Sequence, residues 1–131
     1  MILLDTHALV WWVGGDPALS ATAARRIERA RRDQTLRVSA ISAWEVAQLV
    51  ERERLVLTLS VSDWLGLVGQ IAGLQWVAIG PEVAAASVSL PGGLHKDPAD
   101  RFLVATARQL GATLITRDEK LRAYEHVKTL W

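Results

Sequence analysis

Short apolar runs alternating with helix-length segments predict an α/β fold: a three-layer α/β/α domain whose mainly parallel, five-stranded sheet is covered by helices on both faces. Three observations carry this expectation. Runs such as Ile2-Leu3-Leu4 and Thr113-Leu114-Ile115 lack polar alternation, as doubly buried strands should. Helical segments separate the runs, the pattern of right-handed βαβ units. The 131 residues, half of them hydrophobic and 22% charged, suit one ordered domain over 1–131 with a single core. No repeat, low-complexity tract or Pro/Gly-rich linker divides the chain.

Taken in order, Met1 to Leu4 reads as the first strand. Thr6 to Val13 reads as a helix ended by Gly14-Gly15, and Asp16-Pro17 as the opening of a longer helix to about Arg32, with Pro17 in its first turn. Thr35 to Ser39 is the second strand. Ser42 to Arg54 is a helix with an apolar stripe at Trp44, Ala47 and Val50. A helix from Ser60 to Ala72, a strand from Gln75 to Ile79 and a short helix from Pro81 to Ser89 follow. Leu90 to Lys96 is a loop containing Pro91-Gly92-Gly93. Pro98 to Leu110 is a helix stopped at Gly111, Ala112 to Thr116 the fourth strand, Glu119 to Tyr124 a helical turn, and Val127 to Leu130 the fifth strand.

Composition removes some chemistries. With no cysteine, disulfides and thiolate metal sites are excluded, so a metal would need oxygen or histidine ligands. A net charge of +1 neither demands nor opposes a nucleic-acid partner. Asp5 and His7 interrupt the apolar start, and no apolar run approaches the ~18 residues that span a bilayer. The expectation is a cytoplasmic protein without a membrane partner.

Four acids stand out. Singly, each reads as a helix cap: Asp5 after the first strand, Glu45 in a Ser42-Ala43-Trp44-Glu45 capping box, Asp100 three residues after a capping Asp97, and Asp118 before the last helix. Together they read differently. In a parallel sheet the strand-to-helix junctions share one edge, where ligands bind. Carboxylates gathered there repel one another unless some take up protons or a cation sits among them. Oxygen-only ligation favours Mg²⁺ or Mn²⁺.

Leu4-Asp5-Thr6-His7-Ala8-Leu9-Val10-Trp11-Trp12, Ser42-Ala43-Trp44-Glu45-Val46, His95-Lys96-Asp97-Pro98-Ala99-Asp100-Arg101 and Leu114-Ile115-Thr116-Arg117-Asp118 together resemble PIN-domain ribonucleases, and within them the VapC-type toxins of bacterial toxin–antitoxin pairs. The resemblance runs, in order and spacing, over essentially the whole chain. It implies an Mg²⁺-dependent endoribonuclease, with Mn²⁺ able to substitute, and an acidic set of Asp5, Glu45, Asp100 and Asp118. It implies Thr116 as a hydroxyl that helps hold the site and Asp97 as a further family position, here read as the cap. A homodimer and a separate antitoxin are implied too. RNA, rather than DNA, comes from the resemblance alone.

On this reading Asp5 and Asp100 bind the ion directly, Glu45 binds it or orients water, and Asp118 acts through water. Lys96, Arg101 and Arg117 adjoin these acids and are candidate phosphate contacts. Arg25, Arg29 and Arg32 share one helix side, as a solvated face or a phosphate-tracking stripe. His7 is expected to pack or cap, and His95 to shape the pocket entrance. Of six tryptophans, Trp44 suits the core, while adjacent Trp11 and Trp12 cannot share one interior. Trp64, Trp76 and Trp131 add apolar surface, read for at least half of the six tryptophans as core and satellite packing and otherwise as a protein interface. Haloacid-dehalogenase-type phosphatases need an Asp where His7 stands, and receiver domains need an Asp after the third strand, where Gly80-Pro81 follows Ile79. The remaining alternative is a catalytically silent RNA- or protein-binding module on the same fold.

Overall fold

The computed structural model describes Met1–Trp131. Strands β1 (Ile2–Leu4), β2 (Leu36–Ser39), β3 (Leu74–Val77), β4 (Thr113–Ile115) and β5 (Thr129–Leu130) form one sheet in the order β3-β2-β1-β4-β5. All four pairings are parallel. The helices are α1 (Thr6–Gly14), α2 (Ala21–Arg32), α3 (Ala40–Glu51), α4 (Val61–Gly69), α5 (Pro81–Val88), α6 (Pro98–Leu110) and α7 (Glu119–Ala123). None is long and apolar enough to cross a membrane.

Period-two alternation sends β1 side chains to two cores. Ile2 and Leu4 join Leu36, Val38 and Ile115 beneath α1, α2 and α4. Leu3 and Leu114 face α6 and α7 through Leu103, Val104 and Leu121. Both layers are therefore fully occupied, which is why the strands carry unbroken apolar runs. Helix α3 serves both, giving Ile41 to the second core and Val46 to the first.

Several helix starts differ from expectation. Asp16 does not open a helix: its carboxylate accepts from the Ala18 amide at 2.8 Å, closing a turn around Pro17. Ser20 caps α2 by accepting from Ala23 at 3.0 Å. Ser42 is not a cap either. Ser39, the last residue of β2, accepts from the Ile41 amide, so strand passes into helix with no loop. The register of α3 shifts accordingly: Glu45 is its sixth residue, outside any capping box. Its buried residues are Ile41, Ser42 and Val46, and Trp44 stands 50% exposed instead of in the core. Trp64 is the tryptophan that is buried. Other expected boundaries move by one to three residues.

Gly73 has a specific task. Its φ is +87°, and a Cβ there would sit 1.9 Å from the Arg31 carbonyl oxygen at the end of α2. Gly73→Ala is expected to cost at least ~2 kcal/mol, combining left-handed strain with a backbone clash. Gly66, inside α4 with nothing within 4 Å of an added Cβ, is the control. Gly66→Ala should be neutral or stabilising by about 0.5–1 kcal/mol. Urea denaturation of both variants checks the contrast.

Candidate active site

From β1 the chain crosses to β2 on one side and later fills β4 on the other, so β1 and β4 flank the topological switch point. Helices on opposite faces leave a crevice there at the carboxyl ends of the strands. Asp5 follows β1 directly, and its amide donates to the Ile115 carbonyl at the end of β4. Thr116 and Asp118 follow β4. Helix α6 runs down to Gly111 and the start of β4, so its first turn, with Asp100, lies at the same edge as Asp5. Glu45 arrives on α3 from β2.

The capping roles are real and coexist with this clustering. Asp5 accepts from the Ala8 amide at 2.7 Å and caps α1. Asp97 accepts from the Asp100 amide at 3.2 Å and caps α6. Asp118 accepts from the Leu121 amide at 3.0 Å and caps α7, while its own amide donates to Thr116 Oγ1 at 3.1 Å. Each bond uses one carboxylate oxygen and leaves the other.

Hydroxyl and imidazole groups hold the remaining acids. Thr6 Oγ1 lies in hydrogen-bond contact with Glu45 Oε1 and 2.9 Å from Ser42 Oγ. One hydroxyl has one hydrogen, so with Glu45 ionised Thr6 donates to it and accepts from Ser42. His95 Nε2 is 2.7 Å from Asp100 Oδ2. Neither contact was read from sequence. Thr6 and Ser42 pass there as ordinary helix-start residues, and the helical spacing that brings Ser42 next to Glu45 becomes visible only once α3 starts at Ala40.

Burial and mutual repulsion raise three of the four pKa values. Desolvation raises Asp5, offset in part by the Thr116 hydroxyl and the Ala8 amide. Desolvation raises Glu45 to about 7 against the Thr6 bond, helped by the charges of Asp100, Asp97 and Asp5. Desolvation likewise raises Asp100, with Asp97 and Asp118 adding to it and His95 opposing. The acids thus feel one another across the crevice. As the side chains stand, no three acidic or histidine groups close round a single point tightly enough to hold an ion. Asp5 and Asp118 are instead held by amides, Glu45 by the Thr6 hydroxyl and Asp100 by His95. The donor chemistry, all oxygen and partly desolvated, fits a hard divalent cation.

The basic candidates separate. Arg101 is not free for phosphate. Its guanidinium donates to the carbonyls of Ser87 (2.7 Å), Leu94 (3.0 Å), His95 (3.3 Å) and Val88 (3.1 Å), tying the loop before α6 to the end of α5. Sequence adjacency to Asp100 misled because neighbours on a helix point about 100° apart. Lys96 is exposed. Arg117 is exposed and lies over Trp11, 4.5 Å from its ring centre. Trp11 also meets His7 and Trp131. Arg25, Arg29 and Arg32 are exposed on α2 while Ala23, Ile27 and Ala30 face the core.

Two outcomes follow. Arg101→Lys keeps the charge but loses the four-carbonyl fork, and is expected to lower stability by about 2 kcal/mol, read by urea denaturation. A raised carboxyl pKa means that the folded chain keeps protons the unfolded chain has lost. For Glu45 that window runs from its ordinary 4.5 to about 7, so stability falls as pH rises through it. The metal-free protein should therefore melt at a higher temperature near ~pH 5 than near ~pH 8, and Glu45→Gln should flatten the trend.

Comparison with known proteins identifies the family and the fold. A family model described as "PIN domain" matches residues 2–127. Ribonuclease VapC22 of Mycobacterium tuberculosis is 40% identical over 132 residues, covering 99% of this chain and 98% of that protein. Among solved structures, VapBC2 from Rickettsia felis, bound to a promoter DNA fragment, superposes with a TM-score of 0.70 at 18% identity, covering 99% of this chain and 98% of the other. FitAcB from Neisseria gonorrhoeae gives 0.66 at 24% identity, covering 99% and 96%. At those identities the structures speak for the fold; with the family match and the 40% relative, the chain belongs to the PIN-domain family.

Proposed function

We propose that the chain is a divalent-metal-dependent endoribonuclease, a hydrolase of RNA phosphodiesters, and the toxin of a toxin–antitoxin pair. The observation that carries this reading is a set of desolvated carboxylates at the β1/β4 crevice whose charge no lysine or arginine compensates. The relative named as a ribonuclease supports the RNA substrate. The toxin–antitoxin complexes that share the fold support an antitoxin partner.

Asp5 and Asp100 would hold the ion directly. Glu45, oriented by Thr6, binds the ion or positions water. Asp118 acts through water. Thr116 holds the Asp5 carboxylate and the Asp118 amide, and Asp97 keeps α6 capped. Mg²⁺ is the working ion and Mn²⁺ substitutes. When bound, the ion supplies Lewis-acid polarisation of the phosphate and of an attacking water. Lys96 and Arg117 meet phosphate from the rim. The 131 residues act as one nuclease unit in the cytoplasm. Exposed Trp44 and Leu67 belong to apolar surface covered by a second copy or by the antitoxin.

Calorimetric titration of Mn²⁺ into antitoxin-free protein tests the reading. Asp5→Asn and Asp100→Asn should each weaken binding, and cleavage of RNA, by between about ten- and a hundredfold. Absence of binding at millimolar Mn²⁺, or binding indifferent to both changes, would leave a silent binding module on which Asp5 and Asp118 serve only as helix caps.

A further inference from the structure

Beside the acid cluster, the loop Pro91–His95 faces α7 and the residues after it across a cleft of about 420 Å³. We infer that this cleft is a nucleotide subsite: it takes one unstacked nucleotide of single-stranded RNA, next to the phosphodiester held at the acid cluster. The inference rests on the nuclease reading and deepens it by naming where the adjoining residue of the substrate sits.

Continuity is the first reason. His95 lines the cleft, and its Nε2 touches Asp100. A strand whose phosphate lies over Asp100 therefore has its next nucleotide at the mouth of this cleft. The volume falls in the ~300–1,000 Å³ range of small-ligand sites, so a single nucleotide suits it.

Construction is the second. The Tyr124 hydroxyl donates to the Pro91 carbonyl and pins the loop. Gly92, at φ +70°, lies so near the His126 ring that a Cβ would come within 3.2 Å of Cδ2. Tyr124 and His126 meet edge to face at 5.4 Å, and Arg108 Nη1 donates to the His126 carbonyl at 2.6 Å. The walls are thus fixed without a ligand, which lowers the ordering cost of binding.

Donor chemistry is the third. The backbone amides of Gly92, Gly93, Leu94 and His95 donate to no acceptor in the protein. Lys120, also lining the cleft, forms no ion pair. The single lining carboxylate, Glu125, has a side chain 86% exposed, with Oε1 3.5 Å from His126 Nε2. These amides and the Lys120 ammonium are donors that suit a phosphate joined to a base with ring nitrogens and carbonyls. A base inside a duplex could not enter, whereas an unpaired one can be splayed into a pocket.

Amide nuclear magnetic resonance on the full chain tests this, with the four nucleoside 5′-monophosphates added singly and inorganic phosphate as the control. At least one nucleotide at millimolar concentration should shift Gly92, Gly93, His95 and Lys120. Gly93 is open to substitution: a Cβ meets nothing within 4 Å and its φ is not left-handed. Gly93→Trp should fill the cleft and abolish the shifts, and Lys120→Ala should weaken binding several-fold. Both variants should bind Mn²⁺ as the unaltered chain does. No nucleotide response, an equal response to inorganic phosphate, or a response that survives Gly93→Trp would overturn the subsite. Mn²⁺ calorimetry on the unaltered chain judges the acid cluster separately, so the two readings fail by different measurements. Binding of an acidic peptide at these amides without any nucleotide response would also overturn it, in favour of a protein ligand.

Discussion

The parallel pairing of β1 with both β2 and β4 is the constraint on which the rest of the structure depends. Because β1 pairs with β2 on one side and β4 on the other, the carboxyl ends of β1 and β4 open into the space where connections leave in opposite directions. The register Leu4↔Val38 and Leu4↔Ile115 brings all three strands to the same height. Asp5 then emerges beside Thr116, and α3 and α6 bring Glu45 and Asp100 to the same edge from either side. A one-residue slip of β4 would turn Leu114 and Ile115 to the wrong cores and move Thr116 off Asp5. Core packing and site geometry are therefore specified by the same hydrogen bonds.

For Asp5 and Asp118 capping and clustering use the same residue, because both need a carboxylate at a helix N-terminus. A cap contributes about 1 kcal/mol of helix stability. Desolvation among like charges works against it, as the raised pKa values of Asp5, Glu45 and Asp100 indicate. The helix ends supply about half a positive charge each, which softens the repulsion without cancelling it. The cap is best seen as the device that fixes an oxygen in space, and the remaining repulsion as the cost of keeping the other oxygens available.

The sequence was most legible where one local rule had no competitor. Pro98 after Asp97 and Gly111 after Leu110 bound α6 as expected, since the fixed φ of proline and the left-handed φ of Gly111 (63°) admit little else. The acids could be assigned to one sheet edge from topology alone. It was least legible where two caps competed. Asp16 and Ser20 both suit a helix start, and Ser39 and Ser42 both precede helical spacing; the strand end decided for Ser39. That three-residue shift turned Trp44 outward and brought Ser42 into contact with Thr6. The His95–Asp100 contact crosses a loop, where periodicity carries no information, and Arg101 was misread because its role lies in carbonyls that no sequence pattern announces.

What surrounds the acids explains why they remain receptive. The chain has one Arg–Glu ion pair, Arg31–Glu28, and two histidine–carboxylate contacts, His95–Asp100 and His126–Glu125, of which only His95–Asp100 touches the crevice. Arg101, one residue from Asp100, is turned onto four carbonyls, and Arg117, one residue from Asp118, is laid on Trp11. A resident lysine or arginine among these carboxylates would satisfy them permanently, and displacing a buried charged partner is costly. The Thr6 hydroxyl orients Glu45 and the Thr116 hydroxyl orients Asp5 without neutralising them, and Ser42 bonds Thr6 in turn. The fold thus removes its own fixed cations from the site and stabilises geometry with neutral donors. The electrostatic deficit that results is larger for a small, doubly charged, exchangeable ion to relieve than for any group the chain itself provides.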